Sequence, residues 1–335
     1  LSDDGRSYRL HGEKLWISNA GFADLFTVFA KLEGKVSAFL VEASTAGLST
    51  GPEEHKMGIA GSSTRALILR DAVVPRENLL GECGDGAHIA FQILNVGRIK
   101  LGAACIGGAR NLLRQTMAYA QQRHAFGRPI ASYGLVEQYV ATMAVELFAA
   151  ESAVYRTTGL MDSAPGLDEY AVECSIVKIL ASEMMDCVAD LAVQIHGGNG
   201  YVRGNPAERA YRDARVNRIF EGTNEINRLL ASGVLLKRAQ QGRLGLLAGM
   251  QRIEQGLLAP APSPAPDALE RGRQLTLLVA AAAVRRHGEA LAQEQELLAG
   301  ICDLTIAVYT MQSAWLRQPG GALAQVILSG RLDAM

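Results

Sequence analysis

"RIFEGTNEINRLL", residues 218 to 230, places the acidic Glu221 directly behind Ile219-Phe220 and ahead of Gly222-Thr223-Asn224. The second half of the segment reads as the mouth of a helix. Thr223 or Asn224 serves as the cap, Glu225 falls in the first turn, and Ile226, Leu229 and Leu230 continue at helical spacing. Glu221 lies outside that helix, and capping leaves it unexplained. Followed outward from this boundary, the chain divides into a β-rich beginning and a helical remainder.

With 335 residues the chain can bury a large core and hold two or three domains. Its 33 Lys and Arg balance 34 Asp and Glu, which argues against a nucleic-acid partner held by charge. Cys83, Cys105, Cys174, Cys187 and Cys302 lie far apart without a C-x-x-C pair, as reduced, buried thiols do, and neither a disulfide frame nor a zinc site is expected. The six histidines are equally scattered, and no metal is expected. The chain starts at Leu1 without a methionine and enters a strand pattern at once, so its natural beginning is expected upstream. No uncharged apolar run of about 18 residues occurs, which argues against a membrane-spanning helix. The most apolar block, 275–284, has the length of a core helix.

Residues 1 to about 80 read as antiparallel β structure. "YRLHGEKLWIS" suggests two short strands joined by a turn at His11-Gly12-Glu13. "FTVFAKLEGKVSAFLVE" repeats the pattern with Glu33-Gly34 at the turn, and Pro75 closes "RALILRDAVVP". From about Gly86 the pattern is helical: Ile89, Ile93, Val96 and Ile106 share one face, and Leu135, Tyr139, Val140, Met143 and Leu147 another. "DSAPGLD" (162–168) separates a third helix, 169–195, which ends in the glycine-rich run 197–200. Two more helices flank "FEGTNE", and "LAPAPSPAPD" is a linker before a last helical stretch. The fold class is therefore α+β, mostly α. A middle β domain (1–83) precedes a helical bundle (84–240) and a C-terminal helical extension (241–335) with a Pro/Ala linker near 259–267.

Four segments hold functional residue types outside plain periodicity: "KLWISNAG" (14–21), "RHAFGRPI" (123–130), "QIHGGNGY" (194–201) and "RIFEGTNEI" (218–226). Singly each has a plain structural reading. Trp16 is a sheet aromatic, Arg123 a surface charge, the glycines a helix stop, and Glu221 an ion-pair partner. Together, in this order along a β-then-helical chain, they resemble the middle and C-terminal parts of a flavin-dependent acyl-CoA dehydrogenase. The match runs from about 8 to 235. The extension, with "HKMGIAGSSTRALIL" (55–69), resembles the very-long-chain subgroup of that family.

The resemblance implies FAD as cofactor and an acyl-CoA as substrate. Glu221 would be the base that removes the α-proton, while hydride leaves the β-carbon for flavin N5, giving a trans-2-enoyl-CoA as in fatty-acid β-oxidation. Burial beside an acyl chain would raise its basicity, and hydrogen bonds to the thioester oxygen, from the Glu221 N–H and a flavin hydroxyl, would stabilise the enolate. Trp16 would lie against the flavin and Ser18 would reach its N5 edge. Arg123, Phe126, Gln194, Gly197 and Gly198 would meet the FAD of a neighbouring subunit, and Thr223 would meet its nucleotide. Asn95, Arg98 and Gly222 would line the substrate site. Arg98 also reads as an interhelical ion pair.

Some relatives carry their base at the position of Gly97, where glycine cannot act. Gly97 and Gly102 read either as room for a long acyl chain or as close helix packing. The family's N-terminal helical domain and its "TEP"-like segment have no counterpart in this chain, so weak FAD binding is expected of the chain alone. The resemblance further implies an electron-transfer flavoprotein as partner and a homodimer or higher homo-oligomer. Helix 243–258 reads as an interfacial membrane helix or as one packed on the core. A bacterial cytoplasm is expected, or a mitochondrion in a eukaryote. The rival readings are an acyl-CoA oxidase on the same scaffold and a non-catalytic assembly member.

Overall fold

A computed structural model describes residues 5–163, 167–258 and 268–335. The chain forms two compact units, Leu1–Leu94 and Asn95–Met335.

The first unit is antiparallel β structure. Strand β1 (Ser7–Ser18) pairs with β5 (Thr64–Pro75), which also pairs with β4 (Leu48–Thr50). A second sheet joins β2 (Leu25–Leu32), β3 (Lys35–Glu42) and the short β6 (Leu79–Leu80). Alternate residues of these strands, among them Leu10, Phe26, Val28, Phe39, Val41, Leu67, Leu69 and Val74, make its core. The β2–β3 hairpin turns at Glu33 and Gly34, both left-handed (φ 52° and 79°), as a two-residue hairpin demands.

The hairpin expected at His11-Gly12-Glu13 does not form. β1 runs unbroken from Ser7 to Ser18, and the pairing with β5 shifts register between Leu10 and Gly12 and again between Lys14 and Ile17. A glycine inside a strand pattern marks a bulge as readily as a turn, and here the pairing partner lies more than fifty residues away along the chain. The second shift holds Trp16 at φ 56°.

Helix α1 (Gly86–Gln122) begins against β3, where a side chain on Gly86 would strike the Ser37 backbone. A two-residue ribbon unforeseen in the sequence follows, β7 (His124–Ala125) with β8 (Arg128–Pro129), turning at Phe126 (φ 52°) and Gly127 (φ 84°).

In the second unit α2 (Gly134–Ser163) and α3 (Ala171–His196) pack together as the centre of a bundle. A one-turn helix α4 (Gly198–Tyr201), α5 (Pro206–Ala214), α6 (Asn224–Gln240) and α7 (Leu246–Leu258) follow. Of these α7 already belongs to the extension, which continues with α8 (Ala268–His287), α9 (Gln295–Arg317) and α10 (Ala322–Asp333). α9 packs on α2 and α6 and sends Cys302 and Tyr309 into the same core as Met143, Ile176 and Val188, so the extension is continuous with the bundle.

By length and composition α1 and α9 could each cross a membrane, although both supply residues to this core. The linker at 259–267 and part of "DSAPGLD" lie outside the described residues. So do the side chains of Leu247, Met250, Ile253, Glu254, Leu257 and Leu258, on which the membrane reading of 243–258 depends. Leu246 packs with Ala280, Leu291 and Leu298.

Candidate active site

Thr223 is the cap of α6: its Oγ1 accepts from the Ile226 N–H at 3.3 Å. The chain reaches it through Glu221 and Gly222, both left-handed, at φ 57° and 79°. Glycine adopts that conformation freely, whereas for glutamate it is uncommon. This loop carries the half-buried Glu221 carboxylate to the surface of α1 at Gly97, where a Cβ would lie 2.8 Å from Glu221 Cδ. The absent side chain of Gly97 is therefore the space that the carboxylate occupies.

Gly102, one and a half turns further along α1, differs. Its Cβ would lie 2.7 Å from Val177 Cγ1 and 3.4 Å from Val154 Cγ2, so this glycine lets α1 approach α3 and α2 closely, and no acyl-chain space opens there.

Arg98 is buried beside Glu221. Its Nε donates to the Glu221 carbonyl at 3.3 Å and its Nη1 to Asn95 Oδ1 at 3.1 Å. Burial pushes the guanidinium down from its ordinary range, and the charge of Glu221 works in the opposite sense. Arg98 thus acts on the loop through a backbone carbonyl, and Asn95, also buried, holds Arg98. Gly222 stands beside both: a Cβ there would lie 3.1 Å from Asn227 Nδ2 and 3.6 Å from Arg98 Nη2.

Asn227, Lys178 and Ser182 carry no motif signal of this site in the sequence, and Asn224 reads there only as a possible cap. Asn227 Nδ2 donates to the carbonyls of Glu221, Gly222 and Thr223 at 3.3, 2.7 and 3.1 Å. Asn224 Oδ1 accepts from the buried Lys178 Nζ at 2.6 Å and from Ser182 Oγ at 3.3 Å. Desolvation first, and then the Arg98 charge, lower the Lys178 amine to about 8. A signal was available in the sequence: Asn224, Asn227 and Ala231 share one helical face, and that face is the buried one.

The expected cofactor residues fall on exposed turns and bulges. In the first unit Trp16 is 71% exposed, and Ser18 ends β1, also exposed. In the second unit Arg123 is exposed at the end of α1, and Phe126, 97% exposed, stands at the tip of the β7–β8 ribbon. Gln194 and Gly197 end α3 at the solvent, with Gly198 following. Tyr119 braces this end, stacking on His196 at 4.1 Å between centroids and donating to its carbonyl at 3.3 Å.

Over residues 1–72 the chain matches the family model described as acyl-CoA dehydrogenase, middle domain, and over 84–236 and 271–327 two models described as acyl-CoA dehydrogenase, C-terminal domain. A probable acyl-CoA dehydrogenase of Bacillus subtilis is 45% identical over 97% of this chain and 59% of its own length. The human mitochondrial very long-chain specific acyl-CoA dehydrogenase is 35% identical over 92% of this chain and 52% of its own. The crystal structure of a Bacillus anthracis acyl-CoA dehydrogenase complexed with FAD superposes with a TM-score of 0.94 at 43% identity, over 99% of this chain and 63% of that one. The chain thus spans between half and two thirds of the length of these relatives.

Proposed function

We propose that this chain, which belongs to the acyl-CoA dehydrogenase family, carries the catalytic base and much of the flavin site of an enzyme that desaturates a long-chain acyl-CoA between its α and β carbons. The observation that carries this reading is the Glu221 carboxylate, held outside α6 on a left-handed loop in the space left by Gly97. A salt-bridge glutamate needs a cation at its carboxylate. Here the neighbouring cation, Arg98, instead bonds the Glu221 backbone, which leaves the carboxylate to accept a proton from substrate.

The residues fit FAD. Aromatic surfaces as exposed as Trp16 and Phe126, on a bulge and a ribbon tip, call for a cover. Space is also open where a Cβ would stand on Gly197 or Gly198, as close approach of a phosphate-bearing ligand requires. Trp16 and Ser18 would hold the flavin ring, and Arg123, Phe126, Gln194, Gly197 and Gly198 the nucleotide of a neighbouring subunit. When bound, the flavin supplies the acceptor for the β-hydride. Glu221 takes the α-proton onto its carboxylate and donates its backbone N–H to the thioester oxygen. Arg98 and Asn95 keep that loop in place, and Gly222 leaves room for substrate beside it.

Similarity to the human very long-chain enzyme over 92% of this chain, extension included, supports a long acyl group. An electron-transfer flavoprotein as acceptor, a homo-oligomeric assembly and peripheral membrane contact through 243–258 belong to the same proposal. The test is an anaerobic visible spectrum of a polypeptide extended to the length of the relatives, before and after palmitoyl-CoA. Bleaching of a bound flavin is expected, whereas a flavin left unbleached by acyl-CoAs of every length would overturn the activity. Hydrogen peroxide release during turnover would identify an oxidase instead.

A further inference from the structure

We propose that Asn227 is the positioning residue of the base: its side-chain amide, acting with Arg98, locks the Glu221–Gly222 peptide so that the Glu221 carboxylate stays over Gly97. The proposal rests on the reading of Glu221 as the base.

Two successive left-handed residues, one of them a glutamate, persist only where their surroundings over-determine them. Here the determinants converge on one atom. The Glu221 carbonyl oxygen accepts from Arg98 Nε and from Asn227 Nδ2, each at 3.3 Å, and the same Nδ2 donates to the next two carbonyls. With that oxygen pinned, the peptide plane is set and the direction in which Glu221 leaves the backbone follows.

Helix initiation does not require this arrangement. Thr223 already caps α6 through Oγ1, and its carbonyl already accepts the Asn227 backbone N–H at 2.9 Å.

A second observation singles out the amide. Asn227 is fully buried, and its Oδ1 has no hydrogen-bond partner among the described residues. Asparagine is thus kept where half its hydrogen-bonding capacity is unused, although a leucine of similar size would bury no orphan oxygen. The orientation of the amide follows from its neighbours, because turned over it would set Oδ1 against three carbonyl oxygens. What the residue supplies here is its donor, and that donor serves only the base loop.

Asn227→Asp keeps the shape and replaces the donor with an acceptor facing three carbonyls. In the full-length flavoprotein mixed anaerobically with palmitoyl-CoA, flavin reduction should slow about 100-fold, the loss expected from misplacing a reacting group by about 1 Å. The dissociation constant for palmitoyl-CoA should stay within about threefold, since uniform binding is untouched. Amide hydrogen exchange at 221–224 should accelerate while that of α3 stays as in the parent protein.

Reduction at the parent rate, or exchange unchanged at 221–224, overturns the proposal, and so does a loss of melting temperature without the split between rate and binding. A parent protein whose flavin no acyl-CoA reduces would remove the functional reading, and the exchange measurement would still decide the role of Asn227. Should the aspartate variant not fold, Asn227→Ala is held to the same three readings.

Discussion

A methyl group on the Cα of Gly97 would run into the carboxylate of Glu221, 2.8 Å from its Cδ. Two residues 124 positions apart in the chain thus share one volume: the side chain missing from α1 is replaced by that of Glu221.

Gly97→Ala therefore separates stability from activity. Within a helix the exchange stabilises by roughly 0.5 to 1 kcal/mol, and what must yield is the flexible end of a side chain, not backbone. The melting temperature should hold or rise, FAD content should be unchanged, and anaerobic flavin reduction should fall about 10- to 100-fold as the carboxylate is displaced. Glu221→Gln should bind FAD equally and show no reduction above background. An alanine variant that reduces flavin at the parent rate would place the carboxylate elsewhere during turnover.

Lys178 makes stability depend on pH in an unusual direction. In the unfolded chain its amine holds a proton to about pH 10.4, while in the fold burial brings this to about 8. Between those values the unfolded state binds more protons, so this contribution raises stability as pH rises. Below about 8 the cost of burying the charge is fully present. Lys178→Met lacks the titration. From pH 7.5 to 9.5 the parent should gain on the variant by about 2 kcal/mol, read from urea midpoints at each pH. A constant difference between the two proteins would refute this account.

Three buried thiols act in the opposite sense. Desolvation pushes Cys105, Cys174 and Cys302 up to about 12, above the roughly 8.5 of an unfolded cysteine. Their contribution is complete below about 8.5 and is lost as pH rises toward the folded values. Iodoacetamide at pH 8.5 should modify Cys83 first, with Cys105, Cys174 and Cys302 reacting only in urea. Peptide mass spectrometry reads the order directly.

Arg228 ties three helices together. It meets Glu183 of α3 through two nitrogens, at 2.9 and 3.1 Å, and Asp303 of α9 through Nε at 2.7 Å. Bidentate geometry makes this pair stronger than a typical surface contact, though partial exposure of both carboxylates moderates it. Arg228→Met should cost about 2 kcal/mol in urea unfolding, and α9 should gain most in hydrogen exchange. Unchanged exchange across α9 would show that the extension is anchored by its apolar core alone.

The Glu33-Gly34 turn, the strand end at Pro75 and the cap at Thr223 were legible because each depends on residues within a few positions. The four motif segments, as a set, resemble the acyl-CoA dehydrogenase family, and the family matches bear out that resemblance. Gly12 was not legible in this way, since a strand glycine serves a turn or a bulge alike and only the partner strand decides. Phe126 and Gly127 were recognised as part of a motif, yet their two-residue ribbon was too short to give a strand pattern.

The sequence by itself determined the order of β and helical regions and, through its four motif segments, the family it resembles, both of which are written in local propensity and motif. Tertiary structure alone decided that β1 pairs with β5, that Gly102 serves packing while Gly97 makes room for a carboxylate, and that Arg98, Asn227 and Lys178 surround the loop. Arg98 meets the Glu221 carbonyl across 123 positions and Lys178 meets Asn224 across 46. No local pattern encodes such a meeting, because it exists only once apolar burial has drawn α1, α3 and α6 together and each buried polar group must find its partner among whatever lies within reach.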